Sequence, residues 1–188
     1  MKKGKVVIFS APSGSGKSTL VHFLMDKDPS FGFSVSATSR PPRGEEKHGK
    51  DYFFFTPDEF RARIAADEFV EYEEVYPGRF YGTLKSQVER QLEYQNILFD
   101  VDVKGGCSLK KYYGERTLFI FVRAPSIDVL RERLVRRGDT AMEEIEKRVG
   151  KAEYEMTFSK FADRVIVNND LETAKKELMI IVDKFLNE

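Results

Sequence analysis

Residues 10–20, SAPSGSGKSTL, follow the apolar run Val6-Val7-Ile8-Phe9 and open an amphipathic helical segment. Strand, glycine-rich loop, Lys-Ser and helix, in that order, form the context a phosphate-binding loop requires. Gly14 and Gly16 let the backbone approach an anion closely. The loop amides and the helix N-terminus aim partial positive charge at phosphate oxygens, and Lys17 is placed to reach the β and γ groups. Ser18 offers a hydroxyl to Mg²⁺. The strict pattern G-x-x-x-x-G-K-[ST] has glycine where Ala11 stands, and alanine fits there only with negative φ, which is therefore expected. The bland alternative is a glycine-serine turn before an ordinary helix, and the strand-loop-helix context argues against it. The cradle points to a nucleoside triphosphate without saying what is done with it.

Outward from the loop, apolar strand-like runs alternate with helical patterns, the mark of parallel α/β units. Strands are expected at 5–9, 34–38, 97–103, 117–122 and 164–168. Helices are expected at 17–27, 84–94, 105–112, 126–137, 142–156 and 170–186. The 188 residues suffice for one domain with one sizeable core. A charged fraction of 33% is split evenly between 31 basic and 31 acidic residues, so no global field favours nucleic acid or an anionic membrane and any anion site is local. The single cysteine, Cys107, excludes an internal disulfide framework. The first apolar run is too short for a signal peptide or a membrane span, so the chain reads as cytoplasmic.

Two segments break the rhythm. Residues 34–84 carry the strand-like pieces DYFFF and FVEYEEV around a helix started by Thr56 with Pro57 at its first position, and look like a small strand-rich insertion. Residues 126–156 are helical and hold seven basic and eight acidic side chains, with i,i+4 pairs such as Glu132 with Arg136 expected. Thr140 and Glu143 make a T-x-x-E capping box there, and the segment looks like a helical flap.

Two clusters carry further chemistry. In ILFDVDVKGG, period two sets Asp100 and Asp102 on one strand face roughly 7 Å apart. Acids on a parallel strand are costly unless they meet a cation, a metal or a donor, and one of them is expected to assist Mg²⁺. An exposed strand end with solvated acids is the alternative. In SATSRPPRG, residues 36–44, Arg40 and Arg43 flank a stiff Pro41-Pro42, a clamp whose guanidinium forks suit phosphate oxygens. Tyr52 and Tyr81 offer hydroxyls to the same anion, or simply wall a small sheet. A buried Glu71 or Glu73 accepts from the N1–H and 2-amino groups of guanine and rejects adenine. Ser36 and Thr83 offer hydroxyls to guanine O6. Composition alone favours solvated glutamates at 71 and 73.

Taken in order, SAPSGSGKST, FSVSATSRPPRGEEKHGKDYFFF, FVEYEEVYPGRFYGT, ILFDVDVKGG and RLVRRG resemble guanylate kinase across essentially the whole chain. The resemblance implies an α/β phosphate-loop nucleoside monophosphate kinase with a five-stranded parallel core (1–33, 85–125, 157–188). A mixed β/α GMP-binding insertion (34–84) and a helical lid (126–156) complete it. It implies transfer of the γ-phosphoryl group of ATP to GMP or dGMP with Mg²⁺, and no nucleic-acid or membrane partner. ATP would lie along Ala11, Pro12, Ser13, Gly14, Ser15, Gly16, Lys17, Ser18 and Thr19. Ser36, Glu71, Thr83 and Asp100 match the guanine-contacting positions, and Arg40, Arg43, Tyr52 and Tyr81 those that hold the GMP phosphate. Lys17, Arg43, Arg133, Arg137 and Arg148 match the residues that neutralise the transferring group. The metal falls to Ser18, with Asp100 or Asp102 through water. Ala11 replaces a glycine common in the family, and Thr83 keeps the hydroxyl of a serine. The rival readings are a phosphate-loop kinase for a phosphorylated sugar and a non-catalytic binding module of the same fold.

Overall fold

The computed structural model describes residues 4–138 and 141–188. All five residues of β1 (Val6–Ser10) are buried, as a parallel strand covered on both faces requires. It pairs in parallel with β8 (Thr117–Arg123), Val6 opposite Thr117 and Ser10 opposite Phe121. With β2 (Phe31–Phe33), β7 (Asn96–Asp100) and β9 (Arg164–Val167) these strands form the expected parallel sheet, in the order β2-β7-β1-β8-β9. The phosphate loop leads into α1 (Lys17–Lys27), and α4 (Val103–Tyr113), α5 (Ile127–Arg137), α6 (Met142–Met156) and α7 (Leu171–Asn187) follow. A second, mixed sheet is ordered β4-β3-β6-β5 from β3 (Ala37–Thr38), β4 (Phe53–Phe54), β5 (Phe69–Tyr76) and β6 (Arg79–Leu84), accompanied by α2 (Pro57–Ala65) and α3 (Lys85–Gln91).

Backbone packing divides the chain into two compact units. One comprises Met1–Lys5 and Gly32–Ile97 and contains the mixed sheet; the other comprises Val6–Phe31 and Leu98–Glu188 and contains the phosphate loop. In the phosphate-loop unit, Val7, Phe9, Leu20, Leu24, Ile120, Ile166 and Leu178 belong to one buried cluster beneath α1 and α7. A separate cluster of Leu130, Leu134, Ile145, Val149 and Ala152 joins α5 to α6. That pairing gives the heavily charged segment an apolar seam of its own.

Three sequence expectations need correction. The strand expected at 34–38 is not part of the parallel sheet: Phe31–Phe33 takes that place, while Ala37 and Thr38 turn to pair antiparallel with β6. Thr38 anchors the switch by donating its hydroxyl to the Phe80 carbonyl at 2.9 Å. The strand expected at 97–103 ends at Asp100, because Asp102 accepts the Gly105 N–H at 2.8 Å and caps α4, which begins at Val103. Asp100 and Asp102 therefore do not form a pair on one strand face. The Glu132–Arg136 pair does not form among the described residues, both side chains being exposed; Arg131 instead crosses from α5 to Glu146 on α6. The capping box assigned to Thr140 lies outside the described residues.

In the mixed-sheet unit, α2 starts with a reciprocal capping box. Glu59 N–H donates to Thr56 Oγ1 at 3.2 Å and Thr56 N–H to Glu59 Oε2 at 2.7 Å, with Pro57 at the first helical position. The helix buries Phe60 completely, its ring stacked 4.4 Å from that of Phe69 and 5.2 Å from that of Phe80. Because Phe69 and Phe80 lie on β5 and β6, this trio fixes the helix to the sheet. Phe60→Ala is expected to destabilise the protein by about 3–5 kcal/mol, read by denaturant unfolding; a loss below about 1 kcal/mol would show that the trio is not the centre of that core.

Candidate active site

The loop between β1 and α1 has the backbone its sequence requires. Gly14 and Gly16 take φ of 86° and 89°, in the left-handed region. Ala11 does not, Asp67 being the sole non-glycine residue with positive φ among those described. A Cβ on Gly16 would lie 2.2 Å from Asn168 Nδ2, so the second glycine is demanded by packing as well as by φ. No side chain caps α1, which leaves the first amides of the helix directed at the loop's concavity.

That concavity is a cavity of about 980 Å³, lined by residues 11–19 together with Asp100, Asp102, Arg133, Arg137, Arg148, Lys151 and Glu155. The Lys17 ammonium lies against the Asp100 carboxylate. The acid at the end of β7 has thus met a cation, the condition for placing it there. Burial pushes Lys17 down to about 8, while the charge of Glu155 pulls the other way. The adjoining carboxylate favours the ammonium too, so Lys17 is charged at neutral pH. Glu155, 8% exposed, is itself shifted upward, first by burial, with Lys151 3.5 Å away opposing the shift.

Residues on α5 and α6 surround the same cavity. Arg133 donates from Nη2 to the Asn168 carbonyl at 2.8 Å, and Arg148 pairs with Glu144 at 3.5 Å. Arg137 lies in the last turn of α5. Asn168, absent from the sequence-based set, sits just past β9 and is 6% exposed. Its amide donates to the Ser15 carbonyl at 2.9 Å and its N–H to the Arg123 carbonyl at 2.8 Å. It therefore ties the phosphate loop to the carboxyl ends of two parallel strands. The signal that would have found it is its position, since ligands gather beyond the carboxyl ends of such strands.

The mixed-sheet unit collects most of the other expected residues. Arg40, 7% exposed, is gripped by Glu46 through Nη1–Oε2 at 2.6 Å and Nη2–Oε1 at 2.8 Å. Its guanidinium lies 4.8 Å from the centre of the Tyr52 ring, and its pKa is raised, chiefly by Glu46, with Tyr81 adding to the rise. The Tyr52 and Tyr81 rings are 6.2 Å apart. Arg43 is exposed. Glu71 faces Thr83 across β5 and β6 and accepts the Thr83 hydroxyl proton at 2.5 Å. Glu71 is half-buried where Glu73 is exposed, so only Glu73 follows the solvated reading. The Thr83 hydroxyl is turned to Glu71, and Ser36, the other hydroxyl expected to meet O6, is half-buried. Asp100, carried by resemblance to the guanine set, belongs to the phosphate-loop unit and is engaged by Lys17.

Residues 3–185 match the family model described as guanylate kinase. The chain belongs to the guanylate kinase family. It is 62% identical over 186 residues to a guanylate kinase of Bacteroides thetaiotaomicron, covering 98% of this chain and 91% of that one. Against a guanylate kinase of Porphyromonas gingivalis the identity is 53% over 184 residues, covering 97% and 98% of the two chains. The crystal structure of guanylate kinase from Anaplasma phagocytophilum matches with a TM-score of 0.70 at 28% identity, covering 98% of this chain and 87% of that one. A shikimate kinase from Bacteroides thetaiotaomicron, 13% identical with a TM-score of 0.51, shares the fold alone.

Two outcomes follow from the phosphate-loop geometry. Because Lys17 loses its charge as pH rises through about 8, ATP should bind about tenfold more weakly at pH 9 than at pH 7. Calorimetric titration checks this, and a constant affinity would show that Asp100 and the bound nucleotide keep Lys17 charged to pH 9. Asn168→Ala leaves the Ser15 carbonyl unpaired and should weaken ATP about 5- to 100-fold. Unchanged ATP affinity would show that the loop keeps its shape unaided.

Proposed function

We propose that the chain transfers the γ-phosphoryl group of ATP to GMP or dGMP, giving ADP and GDP or dGDP. The observation that carries this reading lies on one face of β6. Tyr81 and Thr83 point to the same side, two residues and so roughly 7 Å apart. Thr83 orients Glu71, and Tyr81 meets Arg40 beside Tyr52. A base-reading carboxylate and a phosphate clamp thus share one short surface, on the scale of a nucleoside monophosphate.

In this reading residues 34–84 form the acceptor-binding insertion and residues 126–156 the lid. Glu71 accepts from the guanine N1–H and 2-amino groups, and Ser36 donates to O6. Arg40, Arg43, Tyr52 and Tyr81 hold the 5′-phosphate. The loop amides of residues 11–19 and Lys17 cradle ATP, while Arg133, Arg137 and Arg148 set positive charge around the transferring group. Ser18 lines one cavity with Asp100 and Asp102, an oxygen-only donor set that fits a hard cation retaining water ligands. Held there, Mg²⁺ would supply charge neutralisation to the phosphate oxygens. Orientation and charge complementarity do the work, with no covalent intermediate on the protein. No helix among the described residues is long and apolar enough to cross a membrane, and soluble nucleotide substrates suit a cytoplasmic enzyme.

The test is ADP release from ATP and Mg²⁺ with GMP, dGMP, AMP, CMP or UMP as acceptor. GMP and dGMP should be strongly preferred; equal rates with AMP would defeat the guanine assignment, and no turnover with any of them would return the binding-module reading. Glu71→Gln replaces one acceptor oxygen with a donor facing guanine's donors. It should lower kcat/KM for GMP by about 2–3 kcal/mol, roughly 30- to 160-fold, and a change within about twofold would show that Glu71 does not read the base.

A further inference from the structure

The phosphate clamp contains an acid that the reaction itself does not call for. Arg43 and Glu46 close a tight turn on each other: Glu46 N–H donates to the Arg43 carbonyl at 3.1 Å, and Arg43 N–H donates to Glu46 Oε2 at 2.8 Å. Gly44, at φ 54°, supplies the left-handed residue inside that turn. The same carboxylate takes one proton from each terminal nitrogen of Arg40, and the Pro41 carbonyl takes another from Nη1 at 3.0 Å. One side chain therefore joins the guanidinium of the first arginine to the backbone of the second.

We propose that Glu46 is a positioning residue for the acceptor phosphate, holding Arg40 and Arg43 in one frame so that their remaining donors converge on a single anion. The inference rests on the reading of Arg40 and Arg43 as the GMP phosphate clamp. Arg40 carries five N–H donors in a fixed plane, and a buried guanidinium needs every direction of that plane satisfied. With Glu46 on its end and Tyr52 against its face, the plane cannot swivel, and the donors left over have a fixed direction before any ligand arrives. A long arginine side chain held in this way loses less freedom on binding. The neighbouring acid, Glu45, is exposed and makes none of these bonds, so the sequence pair Glu45-Glu46 separates into one solvated and one structural member. Arg40 first, and the Arg43 N–H second, hold the Glu46 carboxyl down to about 2, so the frame is ionised at every pH at which nucleotides are handled.

The experiment compares GMP with guanosine, which keeps the base and lacks the phosphate, by calorimetric titration of the full chain and its variants. Wild type should bind GMP far more tightly than guanosine; a protein that binds both equally would defeat the clamp reading itself, before Glu46 is in question. Given that preference, Glu46→Gln should weaken GMP about 10- to 100-fold while changing guanosine by less than about twofold. Glu46→Asp should recover part of the loss, and Glu45→Gln should match wild type. Unchanged GMP affinity in Glu46→Gln would overturn the proposal and leave the clamp standing. Tighter GMP binding would overturn it too, by showing that the carboxylate competes with the phosphate rather than directing the arginines. Equal loss of GMP and guanosine in both Glu46 variants would reduce Glu46 to general support of the fold.

Discussion

A chain of zero net charge that handles two anions must keep strong cations ready without a ligand to neutralise them. That constraint explains more of this structure than any single element does. Lys17 rests on Asp100, Arg40 on Glu46, Arg148 on Glu144, and Arg133 on the Asn168 carbonyl. In each case a cation assigned to phosphate has an oxygen partner from its own unit. The partners differ in kind, and the difference matters. The Arg40–Glu46 contact is bidentate with a buried guanidinium, a geometry that fixes orientation. The Arg148–Glu144 contact is an i,i+4 pair on a half-exposed helix surface, worth about 0.3–0.5 kcal/mol and easily exchanged for a phosphate. Arg40 is therefore fixed in place, whereas Arg148 is loosely held.

The same constraint shapes the backbone. The phosphate loop supplies charge without side chains, through amides at the start of a helix that no side chain caps. Such amides attract anions only if the loop holds its curvature, and two devices maintain it. Left-handed Gly14 and Gly16 make the turn, and Asn168 pins the Ser15 carbonyl from the end of β9. Gly16 packs against the same asparagine amide so closely that any side chain would displace it. Loop shape and strand end are thereby one construction.

How much of this the sequence disclosed depends on whether the signal was local. Helices α1 and α6 have the bounds that periodicity predicted, because an amphipathic run and its flanking breakers are contained within a few residues. The phosphate loop was legible for the same reason, being a contiguous motif that carries its own left-handed glycines. The strand at 34–38 misled because alternation shows that a segment is extended without naming its partner, and Thr38 chose β6. Asp102 misled because strand alternation and a helix N-cap both accept aspartate, and only the Gly105 N–H decides between them. Asn168 and Glu46 went unseen since each acts through partners that periodicity does not reveal. Asn168 reaches a carbonyl 153 positions away in the chain, and Glu46 works through an arginine plane whose orientation no sequence pattern encodes.

On the proposed reading, the Thr83–Glu71 contact is a small change that converts a generic acid into a reader. A carboxylate at the rim of a sheet accepts from any donor and carries little discrimination. Once Thr83 donates to Oε1, that oxygen is fixed across the β5–β6 ladder and the carboxylate plane has one orientation. On that reading guanine would meet it with two adjacent donors, N1–H and the 2-amino group, and both would be satisfied. Adenine would bring the N1 lone pair against a carboxylate oxygen, acceptor against acceptor, with no 2-amino group to offset it. Leaving a half-buried charged acceptor unpaired costs more than the pairing gains, so discrimination arises chiefly from refusing adenine. A threonine serves here as well as a serine: the hydroxyl orients the acid, and the extra methyl group fits a position that is 1% exposed. If Glu71 reads the base as proposed, selectivity depends on the direction in which one hydroxyl proton points.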